Sequence, residues 1–233
     1  MKESKGFTIT ELLITIATVG ILSAVLFPVF ISAKEKATET TCAANLKQIG
    51  MAFNMYSQDW NGCISKRLEG MQWSLVLFDS NYVSNAQTFF CPSIPPGDKA
   101  VSSLKEIWKR PDGKSVLYAD CTYGIFDSSR DEYAKTIKSK SGLSTVTMAY
   151  NKVEKPSGYI VITESSNSGK YQTYRFDRNT SAWSQIDLSR HDGTAQSLFA
   201  DGHVEACNKI KLSASNLGGS GVSVWDGTGT SKL

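Results

Sequence analysis

From Leu12 to Ala33 the chain runs for 22 residues without a charge. As a helix rising ~1.5 Å per residue, that stretch is about 33 Å long and covers a hydrocarbon core of ~30 Å. A helix on a water-soluble core would carry a polar stripe, and this one has none. Lys2 and Lys5 precede the run, so the positive-inside rule keeps the N-terminus cytoplasmic and places the remainder outside the cytoplasm. The flank beyond the run is mixed in sign (Lys34, Glu35, Lys36, Glu39). Glu11 stands at the head of the run, where an ionisable side chain is expensive enough to imply a function.

Three readings of this segment compete: an ordinary anchor helix, a secretory signal peptide cleaved near Ser32-Ala33, and a leader with its own processing signal. A signal peptide has an apolar region of ~7–15 residues, shorter than this run and without an acid like Glu11. The residues Gly6-Phe7-Thr8-x-x-Glu11, after a short basic leader, resemble the N-terminal cleavage and methylation motif of the type IV pilin and type II secretion pseudopilin superfamily. That resemblance implies that a prepilin peptidase cuts after Gly6 on the cytoplasmic side and N-methylates Phe7, which leaves Glu11 fifth in the mature chain. It also implies an assembly role for Glu11, and Pro28 falls where many members carry a helix-bending proline. The physics agrees with the resemblance. A protonated amine at Phe7 lies one helical turn from Glu11, and pairing the carboxylate with a neighbouring subunit's amine removes two uncompensated charges from an apolar filament core. Pro28 removes the hydrogen bond to the Ala24 carbonyl and should bend or locally melt the helix, with Gly20, Thr15 and Thr18 loosening it further.

Of the 233 residues, about 200 follow Ala33, enough for one domain with a core. Net charge is +3, so nucleic acid is not an expected partner. The short basic clusters Lys105, Lys109, Arg110 and Lys135, Lys138, Lys140 read as solvated faces. Five cysteines (Cys42, Cys63, Cys91, Cys121, Cys207) in an extracytoplasmic compartment permit disulfides, with at least one thiol left over or paired between chains. Two intrachain bridges could form in about fifteen ways, and the spacing does not choose among them. There is no CxxC pair of the kind a zinc knuckle uses.

Beyond the span the helix is expected to continue to about Asp59, with Leu46, Ile49, Phe53 and Tyr56 forming one apolar stripe, and to stop at Asp59-Trp60-Asn61-Gly62. A second helical pattern spans Trp73 to Tyr82, and Pro95-Pro96-Gly97 marks a loop. Strands are expected at Val116–Ala119, Thr145–Tyr150, Tyr159–Thr163 and Tyr171–Phe176, with Asp127–Gly142 a loop or short helix. Ser197–Ala206 reads as a hairpin around Asp201-Gly202, both turn residues taking positive φ. His191, nine residues and then Asp201-Gly202 resemble the H-X9-DG domain of many prepilin-type proteins. Cys42-x-x-Asn45-Leu46-Lys47-Gln48-Ile49-Gly50 and Phe90-Cys91-Pro92-Ser93 fit the same pattern. After Lys211 the chain turns rich in Gly and Ser and reads as a flexible tail, with Trp225 a docking point.

An enzyme would need reacting groups. In a strand His203, Glu205 and Cys207 share a face, with His191 and Asp201 nearby. A turn role for Asp201-Gly202 and a cross-hairpin hydrogen bond from His191 explain the same residues without catalysis. The acids Asp187, Asp192, Asp201 and Asp226 form no recognisable calcium loop. No phosphate loop, dinucleotide fingerprint or zinc-protease motif occurs. No cofactor, metal or catalytic residue is therefore expected.

The resulting expectation is an α+β chain: a long N-terminal helix, membrane-spanning in its first half, packed on an antiparallel β-sheet head. Its parts are a cleaved leader (1–6), a transmembrane and assembly helix (7–33), a head (34–212) containing the hairpin motif (191–202), and a tail (213–233). The resemblance implies a structural subunit of a type IV pilus or a type II secretion pseudopilus. Its partners would be prepilin peptidase, other pilin or pseudopilin subunits and the inner membrane, with the head periplasmic or at the cell surface. The alternative is a membrane-anchored extracytoplasmic binding domain that borrows the leader and does not polymerise.

Overall fold

The computed structural model describes residues 6–68, 71–93, 123–126, 132–138, 144–167, 171–172, 175–176, 185–217, 222–228 and 230–233. The expected strand at Val116–Ala119, the loop at Pro95–Gly97, Cys121 and the Lys105 cluster lie outside these residues. Helix α1 runs from Ile9 to Asp59 without interruption, through Pro28. Local melting at the proline is not seen. The hydroxyls of Thr15, Thr18 and Ser32 donate to the carbonyls of Leu12, Thr15 and Pro28, turning polar groups onto the helix's own backbone. The chain divides into two compact units, Met1–Ala37 and Thr38–Leu233.

In the second unit α1 buries its apolar stripe as the spacing requires. Leu46, Ile49 and Phe53 are fully buried and Tyr56 nearly so. Each such side chain contributes roughly 1.5–3 kcal/mol relative to exposure. Phe53 meets the rings of Trp73 and Tyr150, and Tyr56 stacks on Trp60. The helix ends where Asn61 and Gly62 turn to φ 53° and 76°, a left-handed exit that glycine accepts freely and asparagine tolerates.

The strands are β1 (Cys63–Leu68), β2 (Met71–Gln72), β3 (Gly124–Phe126), β4 (Ala134–Lys138), β5 (Ser144–Ala149), β6 (Ile160–Thr163), β7 (Ser165–Asn167), β8 (Tyr171–Gln172), β9 (Arg175–Phe176), β10 (Gln185–Asp187), β11 (Ala195–Phe199), β12 (Val204–Cys207), β13 (Ser223–Trp225) and β14 (Thr230–Lys232). Helices α2 (Trp73–Asp79) and α3 (Lys209–Ala214) complete the described elements apart from short 3-10 turns. Among the described residues three sheets form, in the orders β2-β1-β5-β4, β14-β13-β10-β7-β8 and β12-β11-β6-β3-β9. Pairing is antiparallel except between β10 and β13 and between β3 and β9. The architecture is α+β, a long helix on largely antiparallel sheets.

Strand β6, Ile-Val-Ile-Thr, is buried at every position. A short β-branched run with no polar alternation belongs in the middle of a sheet, and β6 lies between β11 and β3. Glu164 follows at once, between β6 in one sheet and β7 in another.

Several expectations need correction. The polar stretch 127–142 contains β4, paired in register with β5 from Ala134↔Met148 to Lys138↔Ser144. An edge strand needs no apolar alternation, so polarity concealed it. The segment 171–176 is two short strands in different sheets. The tail holds β13 and β14, with Val222 and Val224 fully buried. Its isolated valines fill the core, and β10 supplies a strand to pair with. Trp225 is half-buried there, its carbonyl accepting from the Leu188 amide. At the hairpin, Gly202 has φ 83° while Asp201 stays outside the left-handed region. The Phe199 carbonyl accepts from the Gly202 amide. The connection is therefore a three-residue loop with one left-handed glycine rather than the two-residue turn expected.

Candidate functional site

At the N-terminal end of α1, Thr8 and Glu11 hold each other. The Thr8 amide and hydroxyl both donate to Glu11 Oε2, at 2.9 and 2.8 Å, and the Glu11 amide donates back to the Thr8 hydroxyl at 3.3 Å. This is a capping box: a threonine cap and an acid three residues on satisfy amides that the first helical turn leaves open. The Thr-x-x-Glu spacing is the sequence signal for it. Phe7 is 76% exposed, and the large apolar side chains from Ile9 to Ile31 are all exposed. By length and composition α1 is able to cross a membrane. A Cβ built on Gly6 would meet no described atom within 4 Å beyond its chain neighbours, and Pro28 lies inside the exposed run.

In the head, the motif residues that are far apart in sequence converge on α1. Lys47 Nζ donates to the Gly202 carbonyl at 2.8 Å, so the helix grips the hairpin loop. Asn45 donates to the Phe90 carbonyl, and Gln48 accepts from the Thr88 hydroxyl. A Cβ on Gly50 would sit 2.8 Å from Leu198 Cδ1. The glycine lets β11 come against the helix. Asn45, Lys47, Gln48 and Gly50 thus serve the docking of α1 onto one loop and one hairpin.

Beneath that contact, Cys42, Cys91, Glu164 and His191 each offer one ligand-type atom, all within 4.8 Å of one another. The sulfurs of Cys42 and Cys91 lie 2.6 Å apart. His191 Nε2 is 3.0 Å from Glu164 Oε1 and 3.8 Å from Cys91 Sγ. Glu164 Oε2 accepts from the Gln196 amide at 3.0 Å. The Glu164 backbone accepts from Asp187 and donates to Gln196, tying the strand switch to β10 and β11. His191, Asp192 and Gly193 follow one another at φ 50°, 55° and 82°. This costly turn carries the imidazole inward. Burial favours a neutral Glu164, but the hydrogen bond from His191 and the charge of Arg190 outweigh it, and the carboxyl stays below its ordinary value. Burial likewise opposes charge on His191, yet the hydrogen bonds to Cys91 and Glu164 raise it to about 10. With both thiols present, the hydrogen bond from Cys42 and then those of His191 and the Arg190 charge lower Cys91 to about 6 against burial and Glu164.

His191 therefore does not bond across the hairpin as expected. It is held by an acid that the sequence reading missed. The signal was a carboxylate directly after an all-apolar strand run, where a charge stays only if it is paired. Asp201 serves the loop, accepting from the His203 amide and pairing with its ring, which stacks on Phe199 at 4.1 Å. The imagined grouping of His191 with Asp201 and His203 separates into two places. Cys207 is fully buried, and its sulfur contacts the Glu205 carbonyl at 3.7 Å. Of the other acids considered, Asp187 is occupied by Ser189 and Arg190, and Asp226 by Thr228.

The described residues define an α+β protein whose long apolar N-terminal helix packs its second half on largely antiparallel sheets. The chain is similar to the type IV wide pilus major component PilA4 of Thermus thermophilus, 40% identical over 67 residues. Those residues are 29% of this chain and 51% of that protein, so the chain spans about half the length of the curated relative it matches. No family model matches the chain, and no solved structure matches it.

Proposed function

We propose that the chain is a prepilin-like structural subunit of a filament, of the pilus type that the matched relative's name describes. The observation that carries this reading is the junction at the head of α1. A Gly6-Phe7 pair precedes an acid at Glu11, and an uncharged run of 22 residues, its large apolar side chains all exposed, follows on one unbroken helix. In this reading prepilin peptidase cuts after Gly6 and methylates Phe7. Residues 7–33 anchor the subunit in the inner membrane with the N-terminus cytoplasmic. The same residues then pack against those of other subunits, and the head faces outward.

The physical logic is transfer between two apolar environments. The exposed residues cost little in lipid and little in a bundle of like helices, so the helix can pass from one to the other. Glu11 supplies direction. In the single subunit its carboxylate is capped by Thr8. In the filament it accepts a charge-assisted hydrogen bond from the Phe7 amine of a neighbour, an interaction strengthened where water is excluded. The role is structural, and no residue is assigned to catalysis.

N-terminal mass spectrometry of the chain from native membranes tests the processing, with an N-methylated Phe7 as the expected terminus. An intact Met1 in cells with active peptidase, or a start at Lys34, would overturn it. Glu11→Ala should be cleaved normally and fail to enter filaments. Normal filaments from that variant would remove Glu11 from assembly.

A further inference from the structure

We propose that Cys42 and Cys91 are joined by a disulfide in the mature protein, a covalent staple between the docking half of α1 and the head, seated beside the His191–Glu164 pair. The two residues lie 49 positions apart, one on α1 and one just after the Phe90 carbonyl that Asn45 binds. Both are buried, with 0% and 2% of their surface exposed.

The same four side chains could be taken for a metal centre, and distance decides between the two. A tetrahedral zinc with Zn–S bonds of ~2.3 Å holds its two sulfurs about 3.8 Å apart. Unbonded heavy atoms rest at roughly 3.5–4.0 Å. At 2.6 Å the sulfurs are too close for an ion to sit between them or for two thiols in ordinary contact, and they lie near the ~2.05 Å of a covalent bridge.

Charge points the same way. Reduced, the cluster holds Glu164 and an acidified Cys91 thiol against His191 and Arg190. Oxidation removes the ionisable sulfurs and leaves the Glu164–His191 ion pair at 3.0 Å, with Arg190 already engaged by Asp187. A buried pair is tolerated when it is matched in this way.

The chemistry requires a protein disulfide of the dithiol–disulfide oxidoreductase class as oxidant. One cysteine thiolate attacks a donor sulfur, breaking the donor's S–S bond and forming a mixed disulfide. The second thiolate then attacks the first cysteine's sulfur and expels the other donor sulfur. The chain's two thiols lose two electrons and two protons, and the donor leaves as a dithiol. Because both sulfurs are buried in the folded head, the exchange precedes final packing, and the finished bridge is shielded from reductant.

The supply of oxidant rests on the extracytoplasmic placement in the proposed function, so one digest should read both. The full chain from native membranes is alkylated, digested without reductant and analysed by mass spectrometry, and its metal content is measured in parallel. The same peptides are mapped on full chain refolded in detergent with reduced and oxidised glutathione. The expected result is the Cys42 peptide linked to the Cys91 peptide in both samples, about 2 Da below the sum of the thiol forms, with no stoichiometric zinc. A chain starting at Phe7 with both cysteines alkylated overturns the bridge and leaves the processing intact. One zinc per chain with both thiols titratable after denaturation, or Cys42 linked to Cys63, Cys121 or Cys207, also overturns it. A chain that keeps Met1 but carries the Cys42–Cys91 link supports the bridge and overturns the processing alone.

Discussion

Replacing Glu164 tests the buried cluster most directly. Its side chain accepts two hydrogen bonds at 3.0 Å, one from the Gln196 amide and one from His191. It has no exposed surface. Glu164→Gln is nearly isosteric and keeps an acceptor for Gln196, so it removes mainly the charge opposite His191 and Arg190. A hydrogen bond to a charged partner contributes about 1.5–3 kcal/mol, and that is the expected loss. Glu164→Ala also orphans the Gln196 amide and leaves His191 buried without its partner, which together cost about 3–5 kcal/mol. For a folded unit of this size, at roughly 2–4 °C per kcal/mol, thermal midpoints should fall by about 3–12 °C for Gln and further for Ala.

The pH profile separates this cause from general damage. Glu164 is depressed in the folded state, so its stabilisation is present above the ordinary carboxylate pKa and is lost as pH falls through the folded value. His191 is raised to about 10, so its contribution is complete below 6.5 and drains away as pH rises towards 10 in the reduced protein. The groups facing the pair are Arg190, Cys42, Cys91, Tyr123 and, through Arg190, Asp187. None of these replaces the lost carboxylate next to the imidazole. Glu164→Gln should therefore flatten the acid limb and bring the alkaline limb to lower pH. The assay is thermal unfolding of the full chain in detergent with its thiols reduced, followed by near-UV circular dichroism, from about pH 2 to about 10.5. A variant matching the wild type in midpoint and in both limbs would refute the account of the cluster.

Other contacts make separate demands. Leu46→Ala should cost about 2–5 kcal/mol by leaving a cavity under α1, read by urea unfolding, since Leu46 is fully buried. Gly202→Ala places a side chain at φ 83° and should cost about 1–2 kcal/mol, whereas Asp201→Asn, outside that region, should cost less in the same assay. Thr8→Val removes the hydroxyl from the capping box and should weaken the first turn by about 1 kcal/mol, seen as faster amide exchange there. If Glu11 acts through the Phe7 amine, that variant still forms filaments. Reducing the proposed Cys42–Cys91 bridge opens a loop of 49 residues, a loss of about 4 kcal/mol in the chain-entropy account, measurable as a lower denaturation midpoint in reductant.

How much was legible depends on whether the signal was local. The α1 stripe was readable because Leu46, Ile49, Phe53 and Tyr56 recur at the helix period, and the exit at Asn61-Gly62 is a backbone signal carried by residue type. β6 was readable because four apolar or β-branched residues in a row have few alternatives. β4 and the tail strands were not, because an edge strand is defined by its partner: Ala134–Lys138 is a strand through its register with β5, and Ser223–Trp225 through β10. The hairpin is legible in the sequence and its loop length is not, since that length follows from which residues pair, here Leu198 with Val204.

The sequence by itself determined the N-terminal quarter: an uncharged run long enough for a bilayer, the Gly6-Phe7 junction, an acid at Glu11 and a helix that carries its own capping signal. Those properties depend on spacing within a few turns, where covalent neighbours are also spatial neighbours. Tertiary structure alone decided the head's chemistry. Cys42, Cys91, Glu164 and His191 come from a helix, a loop, a strand switch and a left-handed turn. Their closeness depends on how helix, loop and strands pack together, and local spacing carries no record of it.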